Sequence, residues 1–404
     1  MHINFKSCGL SLIAGLCLVP LAMGASFAAS ATAPDLILAA EHGDQTAVNA
    51  LLSQGADPNM ATGDGATALF WAAHNSDIDI AKALLAKGAD IDRQNDFGAT
   101  PLYEAALNAD GSVIALLLES GANPNAALLS GETPLMGAAD RGRFEAVSML
   151  LAGGADPNLA ESKFGQTALM WAVAEKHSAV AKLLIDHGAD VSVRSDSGFS
   201  PLMFAAQQGD VESGQALIAA GADPNELMES ARVTPLLIAS AGHHEAFVAL
   251  LLDHNADPNV FDGNGYTPLH HAAWIRESAG IVELLLAHGA DPNVRLMQEQ
   301  PNAYTDTSST MQGATAFLMA SEVSSLRAMR ALLAAGADPS IATVEGTTPM
   351  ILAAGGGTDL ARPRTLQERA ESLDAVKMLV ELGADVNAAG EFGWTALHAA
   401  AFQG

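Results

Sequence analysis

A tripeptide, Gly-Ala-Asp, returns along this chain at near-constant spacing, and that spacing limits the fold more than any other feature. Its first residue stands at Gly55, Gly88, Gly121 (there Gly-Ala-Asn), Gly154, Gly188, Gly221, Asn255 (Asn in place of Gly), Gly289, Gly336 and Gly383. The intervals are 33, 33, 33, 34, 33, 34, 34, 47 and 47 residues. Self-similarity at such a period marks a stack of small units that each touch only their neighbours, not a set of globular domains. The length of 404 residues therefore says little about domain number. Only 5% of residues are aromatic although 49% are hydrophobic, so the apolar content is mostly Ala, Leu, Val and Met. That composition suits slim helices packed closely.

The first 28 residues read as a leader. Lys6 is the only charged side chain before Asp35, an apolar run extends from about Leu10 to Met23, and small residues end in Ser26-Phe27-Ala28. A short basic head, an apolar body and a small-residue cleavage site make a secretory signal peptide, and the apolar body is too short for a membrane span. Cleavage near Ala28 would remove Cys8 and Cys17, the only two cysteines. The mature chain would then hold no disulfide and no thiolate metal site. Cys17 as a lipid-attachment site is disfavoured by the bulky Leu16 before it. The expected location is export, to a bacterial periplasm or, alternatively, secretion.

One unit, Gly98 to Ser130, shows how the repeat is built. Thr100 can cap a first helix with its hydroxyl, and Pro101 fits the first helical position, where its missing N–H has no partner anyway. Ala105 and Ala106 keep that helix slim. Leu116 to Leu118 lie on a second helix, which Gly121 ends by taking a left-handed conformation. The capping residue recurs at Thr67, Thr100, Thr133, Thr167, Ser200, Thr234, Thr267, Thr315, Thr348 and Thr395. Thr267-Pro268-Leu269-His270 carries the full motif, and Thr395-Ala396-Leu397-His398 carries it with Ala for Pro.

With these motifs the chain resembles the ankyrin repeat, whose Thr-Pro-Leu-His segment recurs at this period. The resemblance implies an all-α solenoid of helix-turn-helix units joined by β-hairpin or loop fingers, after a cleavable signal peptide. It divides the chain into a leader (1–28), an N-terminal capping repeat (29–64) and about nine repeats (65–392). A truncated further repeat (393–404) follows. Two stretches lengthen the period, one near 296–312 within a finger and one near 355–371 between a repeat's two helices. Long loops on a rigid scaffold are often functional and as often slack. The last repeat has no second helix or polar cap within the sequence, so the chain is expected to continue past Gly404.

Catalytic and cofactor patterns are missing from the sequence, and no catalytic, cofactor or metal residue is assigned. His187, His254 and His288 precede the tripeptide, where a helix C-terminus favours histidine. His243, His244 and His271 form a local group whose metal reading is weak against packing or solvation. A net charge of -27, from 19 Lys+Arg against 46 Asp+Glu, repels phosphate backbones and argues against nucleic-acid binding. The expected function is a monomeric, non-enzymatic scaffold for a protein partner.

The resemblance places partner contacts on fingers, at Phe97, Phe164, Phe199, Phe261 and Tyr266. On first-helix surfaces it places them at Trp71, Trp171, Phe204, Trp274 and Ile275. Packing between repeats is the competing role for Trp71, Trp171 and Phe204. Tyr304, Arg362 and Arg364 are candidates in the two insertions. Two other readings stay open: a targeting arm of a larger exported enzyme or redox protein, and an inhibitor that holds a basic toxin inactive.

Overall fold

The recurring threonine does what its spacing predicts. In the computed structural model, which describes residues 33–108, 111–297, 311–355, 365–390 and 393–403, the hydroxyl accepts the backbone N–H three residues on. Thr67 takes that of Phe70 at 3.2 Å, Thr133 that of Met136 at 3.3 Å and Ser200 that of Met203 at 3.1 Å. Each such bond satisfies one of the donors that a helix start leaves unpaired.

The chain divides into two units, residues 1–190 and 191–404. In the first, α1 (Ala33–Glu41) pairs with α2 (Gln45–Ser53), α3 (Ala68–His74) with α4 (Ile78–Ala86), and α5 (Pro101–Asn108) with α6 (Gly111–Glu119). Two further pairs are α7 (Pro134–Asp140) with α8 (Phe144–Ala152), and α9 (Ala168–Ala174) with α10 (Ser178–Asp186). In the second unit α11 (Pro201–Gln208) pairs with α12 (Val211–Ala219), α13 (Pro235–Ala241) with α14 (Glu245–Asp253), and α15 (Pro268–Ala273) with α16 (Ala279–Ala287). There α17 (Ala316–Glu322) pairs with α18 (Leu326–Ala334), α19 (Pro349–Ala353) with α20 (Leu366–Glu381), and α21 (Ala396–Gln403) packs on α19.

Within each unit the first helices stack on first helices and the second on second. The contact is made by paired alanines such as Ala72-Ala73, Ala105-Ala106 and Ala272-Ala273, all buried. Small side chains let the short helices approach, and Leu84, Leu117, Leu150 and their equivalents fill the layer beneath. Among the described residues no helix is long and apolar enough to cross a membrane.

The tripeptide ends the second helix, with φ of +95° at Gly121 and +65° at Asn255. Asparagine tolerates that left-handed backbone best after glycine, which explains the one substitution in the series. The Asn that often follows two residues later has a role the spacing alone did not reveal. Asn59 donates its amide to the Gly88 carbonyl at 3.0 Å and accepts the Asp90 N–H at 2.6 Å. Asn158 does the same to Gly188 and Asp190, and Asn259 to Gly289 and Asp291. Where this Asn is present, one side chain clamps a helix end to the next. The clamp from Asn293 reaches Gly336 and Asp338 across the first long interval, so the insertion leaves the register intact.

Among the described residues there is no β-strand. Of the two finger forms expected, the loop form occurs, with isolated bridges at Ala61–Thr67, Ala160–Thr167, Met228–Val233 and Ala389–Thr395. Successive fingers bond to each other instead: Asp96 N–H donates to Asp64 O at 2.9 Å and Leu129 N–H to Phe97 O at 3.0 Å. The insertion at 296–312 is closed at its base, where Leu296 N–H donates to Ala314 O at 2.8 Å and Gly313 N–H to Leu296 O at 2.9 Å.

The second insertion departs from the expected loop. Its last part is helix, because α20 runs for 16 residues where α18 has 9. The cause is a capping box: Thr365 accepts the Glu368 N–H at 3.2 Å, and Glu368 accepts the Thr365 N–H at 2.7 Å.

Candidate protein-binding surface

In the first unit three consecutive fingers carry bare apolar side chains. Phe97 is 67% exposed, Leu129 79% and Phe164 39%. Their loops are held in series, since Leu129 N–H bonds Phe97 O and Ser162 N–H bonds Ser130 O at 2.8 Å. The Phe164 loop is further fixed by the Glu161 carboxylate, which accepts the N–H groups of Lys163 at 2.6 Å and Phe164 at 2.8 Å. Lys163 lies over the Phe164 ring at 4.8 Å, a cation–π contact that leaves this ring less free than Phe97. In the second unit Phe261 is 50% exposed, and Arg232 of the preceding finger lies over its ring at 4.8 Å.

The first-helix face of the first unit carries Trp71 and Trp171, both half-buried. Trp71 meets Phe70 edge-on at 6.1 Å and His74 at 5.5 Å, and His74 pairs with Glu104 at 3.0 Å. The indole N–H groups of Trp71 and Trp171 are buried without a hydrogen-bond partner, so both rings serve packing with much of their area. In the core cluster against which Trp71 packs, Tyr103 donates its hydroxyl to Glu132 at 2.5 Å. Burial pushes the Glu132 carboxyl above its usual range, and burial together with the Glu132 charge pushes the Tyr103 phenol up as well.

The second unit gathers a denser group. Tyr266 stacks on Trp274 with centroids 5.9 Å apart and planes at 10°, and on His271 at 5.3 Å and 30°. His271 pairs with Asp262 at 3.2 Å. Asp262 also accepts the N–H groups of Asn264 at 2.8 Å and Tyr266 at 3.0 Å. Burial works to raise the Asp262 pKa, but the hydrogen bonds from His271 and the backbone outweigh it and hold the carboxyl below its usual range. Behind the stack His270 is buried between the Thr267 N–H, 3.2 Å from Nδ1, and the Ala314 carbonyl, 3.3 Å from Nε2. Desolvation lowers its pKa to about 4, so the ring stays neutral and acts as a strut between repeats.

Family models described as ankyrin repeats in three copies match residues 36–128, 126–195 and 202–296, more than half of the chain. A further model, ankyrin repeats in many copies, matches residues 365–404. The chain belongs to the ankyrin repeat family. Among solved structures, the crystal structure of the human ASB11 ankyrin repeat domain is similar to it at 29% identity and a TM-score of 0.46. That similarity covers 50% of this chain and 90% of that chain. No match was found among curated protein sequences. Ankyrin repeats typically mediate protein–protein interaction, and ankyrin-repeat proteins are generally non-enzymatic scaffolds.

Set on this ankyrin frame, the expected contact residues separate. Phe97, Phe164 and Phe261 stand exposed on fingers, and Tyr266 and Trp274 come together as a stack, with Ile275 half-buried beside them in sequence. Phe199 and Phe204 do not belong to an open surface: they are 7% and 2% exposed and pack on each other at 5.3 Å. Phe199 occupies the position just before the capping residue, where Ala66 and Ala99 sit in the core, and it turns inward for the same reason. Tyr304, Arg362 and Arg364 lie outside the described residues.

The histidine group also resolves into separate contacts. His243 bonds the Ser278 hydroxyl at 2.9 Å, His244 donates to Gln207 O at 2.9 Å, and His271 serves Asp262. Sequence reasoning missed the exposed Leu129 and the pairing of His271 with the buried Asp262. Leu129 had a visible signal, a leucine in a finger loop where Asp96 and Asp64 stand nearby in the earlier fingers.

Proposed function

We propose that the chain is a non-enzymatic scaffold that holds a protein partner on its fingers and first-helix face. The reading rests above all on the row Phe97, Leu129 and Phe164: three large apolar side chains left in solvent on loops that backbone hydrogen bonds make rigid. Exposed side chains on a preorganised frame bind with little ordering cost, and aromatic anchors dominate interface energies. The apolar row lies on a surface whose charge is otherwise strongly acidic, which keeps the free protein soluble while the anchors stay bare.

We further propose that the protein works after export, in a bacterial periplasm or outside the cell, on the strength of the leader pattern in residues 1–28. Affinity capture from the exported fraction tests both parts. The wild-type chain should retain a defined partner that the triple variant Phe97→Ser, Leu129→Ser, Phe164→Ser releases, with the thermal midpoint unchanged. Equal retention by that variant would refute finger docking, and recovery of the uncleaved chain from the cytoplasm alone would refute export.

A further inference from the structure

We infer that the partner on the finger row is one amphipathic α-helix laid along it, with apolar residues at i, i+7 and i+14 and a basic residue at i−7. The inference rests on the scaffold reading and names the occupant of that same surface.

Spacing argues for the helix. Each finger closes on itself by a backbone bond, Asn95 N–H to Ala99 O at 3.0 Å and Leu128 N–H to Glu132 O at 2.8 Å. The bonds from Leu129 to Phe97 and from Ser162 to Ser130 then tie one finger to the next. A finger thus adds two backbone passes to the row. Hydrogen-bonded extended passes stand about 4.7–4.9 Å apart, so the fingers advance by roughly 10 Å each. Helices stacked beneath them set a similar step of about 8–10 Å. Phe97 and Phe164 both stand three residues before the capping threonine, two fingers apart, and Leu129 lies on the finger between them, one residue to the side. An α-helix rises about 1.5 Å per residue, so seven residues cover about 10.5 Å and return to the same face.

Other backbones fit less well. An extended strand covers one step in about three residues, and side chains three apart point to opposite faces. A polyproline helix does return at every third residue, after about 9.3 Å, but its carbonyls have no internal partner. The row offers them none: Phe97, Leu129 and Phe164 have no side-chain donor, and their backbone N–H groups already go to Asn95, Phe97 and Glu161. A helix bonds its own backbone and asks only for apolar contact.

Charge sets the direction. Asp64 stands three residues before Thr67, the same finger position as Phe97 and Phe164, one finger earlier. It is exposed, as is Asp96 beside Phe97, and the Asp96 N–H on Asp64 O ties this finger to the row. A basic residue two turns before the first apolar anchor therefore falls on Asp64. Lys163 marks the other end, over the Phe164 ring. The positive N-terminus of the bound helix is favoured at Asp64 and Asp96, and its negative C-terminus at Lys163. The net charge of -27 draws a basic segment in from a distance.

The test titrates the full chain into a labelled, capped, alanine-rich helical peptide with leucines at i, i+7 and i+14 and a lysine at i−7, read by fluorescence anisotropy. This peptide should bind roughly tenfold or more tightly than one of equal composition with leucines at i, i+5 and i+10, which scatter around the helix. It should also outbind a proline-rich peptide with leucine at every third residue. The finger triple variant should lose roughly tenfold or more of the affinity. Asp64→Asn should weaken the lysine peptide several-fold and leave its glutamine counterpart unchanged, which separates a lost charge contact from a lost fold. A spin label at the peptide's N-terminus should broaden amides of the Asp64 finger before those of the Phe164 finger. Equal binding of the scattered peptide, tighter binding of the proline peptide, the same change in both peptides on Asp64→Asn, or the reverse broadening would overturn the inference. If the helical peptide does not bind while the triple variant still releases its captured partner, the helix fails and the finger reading stands. If the triple variant holds peptide and partner as wild type does, both fail.

Discussion

The helix-end turns and the fingers are both built on glycine, yet they use it differently, and the repeat from Gly98 to Ser130 holds one of each. At Gly121, on the helix end, φ is +95° and an added Cβ would meet nothing within 4 Å. At Gly98, in the finger, φ is +84° and a Cβ would stand 2.8 Å from the backbone nitrogen of Leu129. The turn needs glycine for its own conformation, and the neighbour is gripped by a side chain, the Asn clamp. The finger needs glycine so that the next finger can come close, and its grip is backbone to backbone. Because the fingers stack chiefly through their backbones, their apex residues can vary. The difference explains why the turns repeat nearly letter for letter while the finger tips hold Phe, Leu, Asp or Ser.

Substitutions can separate the two modes. Gly98→Ala should be the most damaging, costing about 3 kcal/mol, because left-handed strain adds to a clash with backbone that cannot move aside. Urea denaturation of the full chain would read it, and a loss no larger than that of Gly121→Ala would break the contrast. Gly121→Ala should cost about 1 to 2 kcal/mol, from backbone strain alone.

Acid attacks a strut at the finger base. His270 is neutral with a pKa of about 4 against 6.5 unfolded, so below pH 6.5 the unfolded chain binds the proton that the folded one refuses. Its contribution is whole above that value and shrinks as pH falls, by about 2 to 3 kcal/mol on reaching pH 4.5. The stability gap between wild type and His270→Asn should narrow by that amount between pH 7 and 4.5; a constant gap would show that the ring accepts a proton in place.

Loss of a clamp should be milder than Gly98→Ala and comparable to Gly121→Ala. Asn259→Ala removes two solvent-exposed hydrogen bonds and should cost about 1 to 2 kcal/mol. The smallest effect is a gain. Asp92 stands where most other repeats have the clamping Asn, and it accepts the Asn123 N–H at 2.9 Å but lacks the amide that would donate to the Gly121 carbonyl. Asp92→Asn should add the missing bond and about 0.5 to 1 kcal/mol, seen as a higher thermal midpoint. No gain would mean the clamp works through its acceptor half only.

Most of the fold was legible because its signals are local. A capping threonine, a slim Ala-Ala pair and a left-handed Gly each act within a few residues, and they recur in one register. The extension of α20 was legible too, in the Thr365-x-x-Glu368 box, though a glycine-rich neighbour hid it. The candidate surface was harder. Phe97 and Phe199 look alike along the chain, and only the two-residue offset from the capping position sends one outward and the other into the core. Tyr266 and Trp274 could be named singly, but their stack with His271 depends on the path of the finger across α15. Contacts between repeats outside the recurring register, such as His243 on the Ser278 hydroxyl, have no spacing to betray them.

Arg276 has a wider reach than its place suggests. Standing before α16, it donates to the Val323 carbonyl at 2.7 and 2.9 Å in the following repeat and pairs with Glu371 on α20 in the repeat after that. A stack whose members feel only their immediate neighbours can fray one unit at a time. A side chain that spans three of them ties their fates, and the extra turns of α20 provide its far anchor. Opening in this stretch should therefore be a single event, with amide exchange in α16, α18 and α20 converging on one rate where an unstapled array would show a gradient.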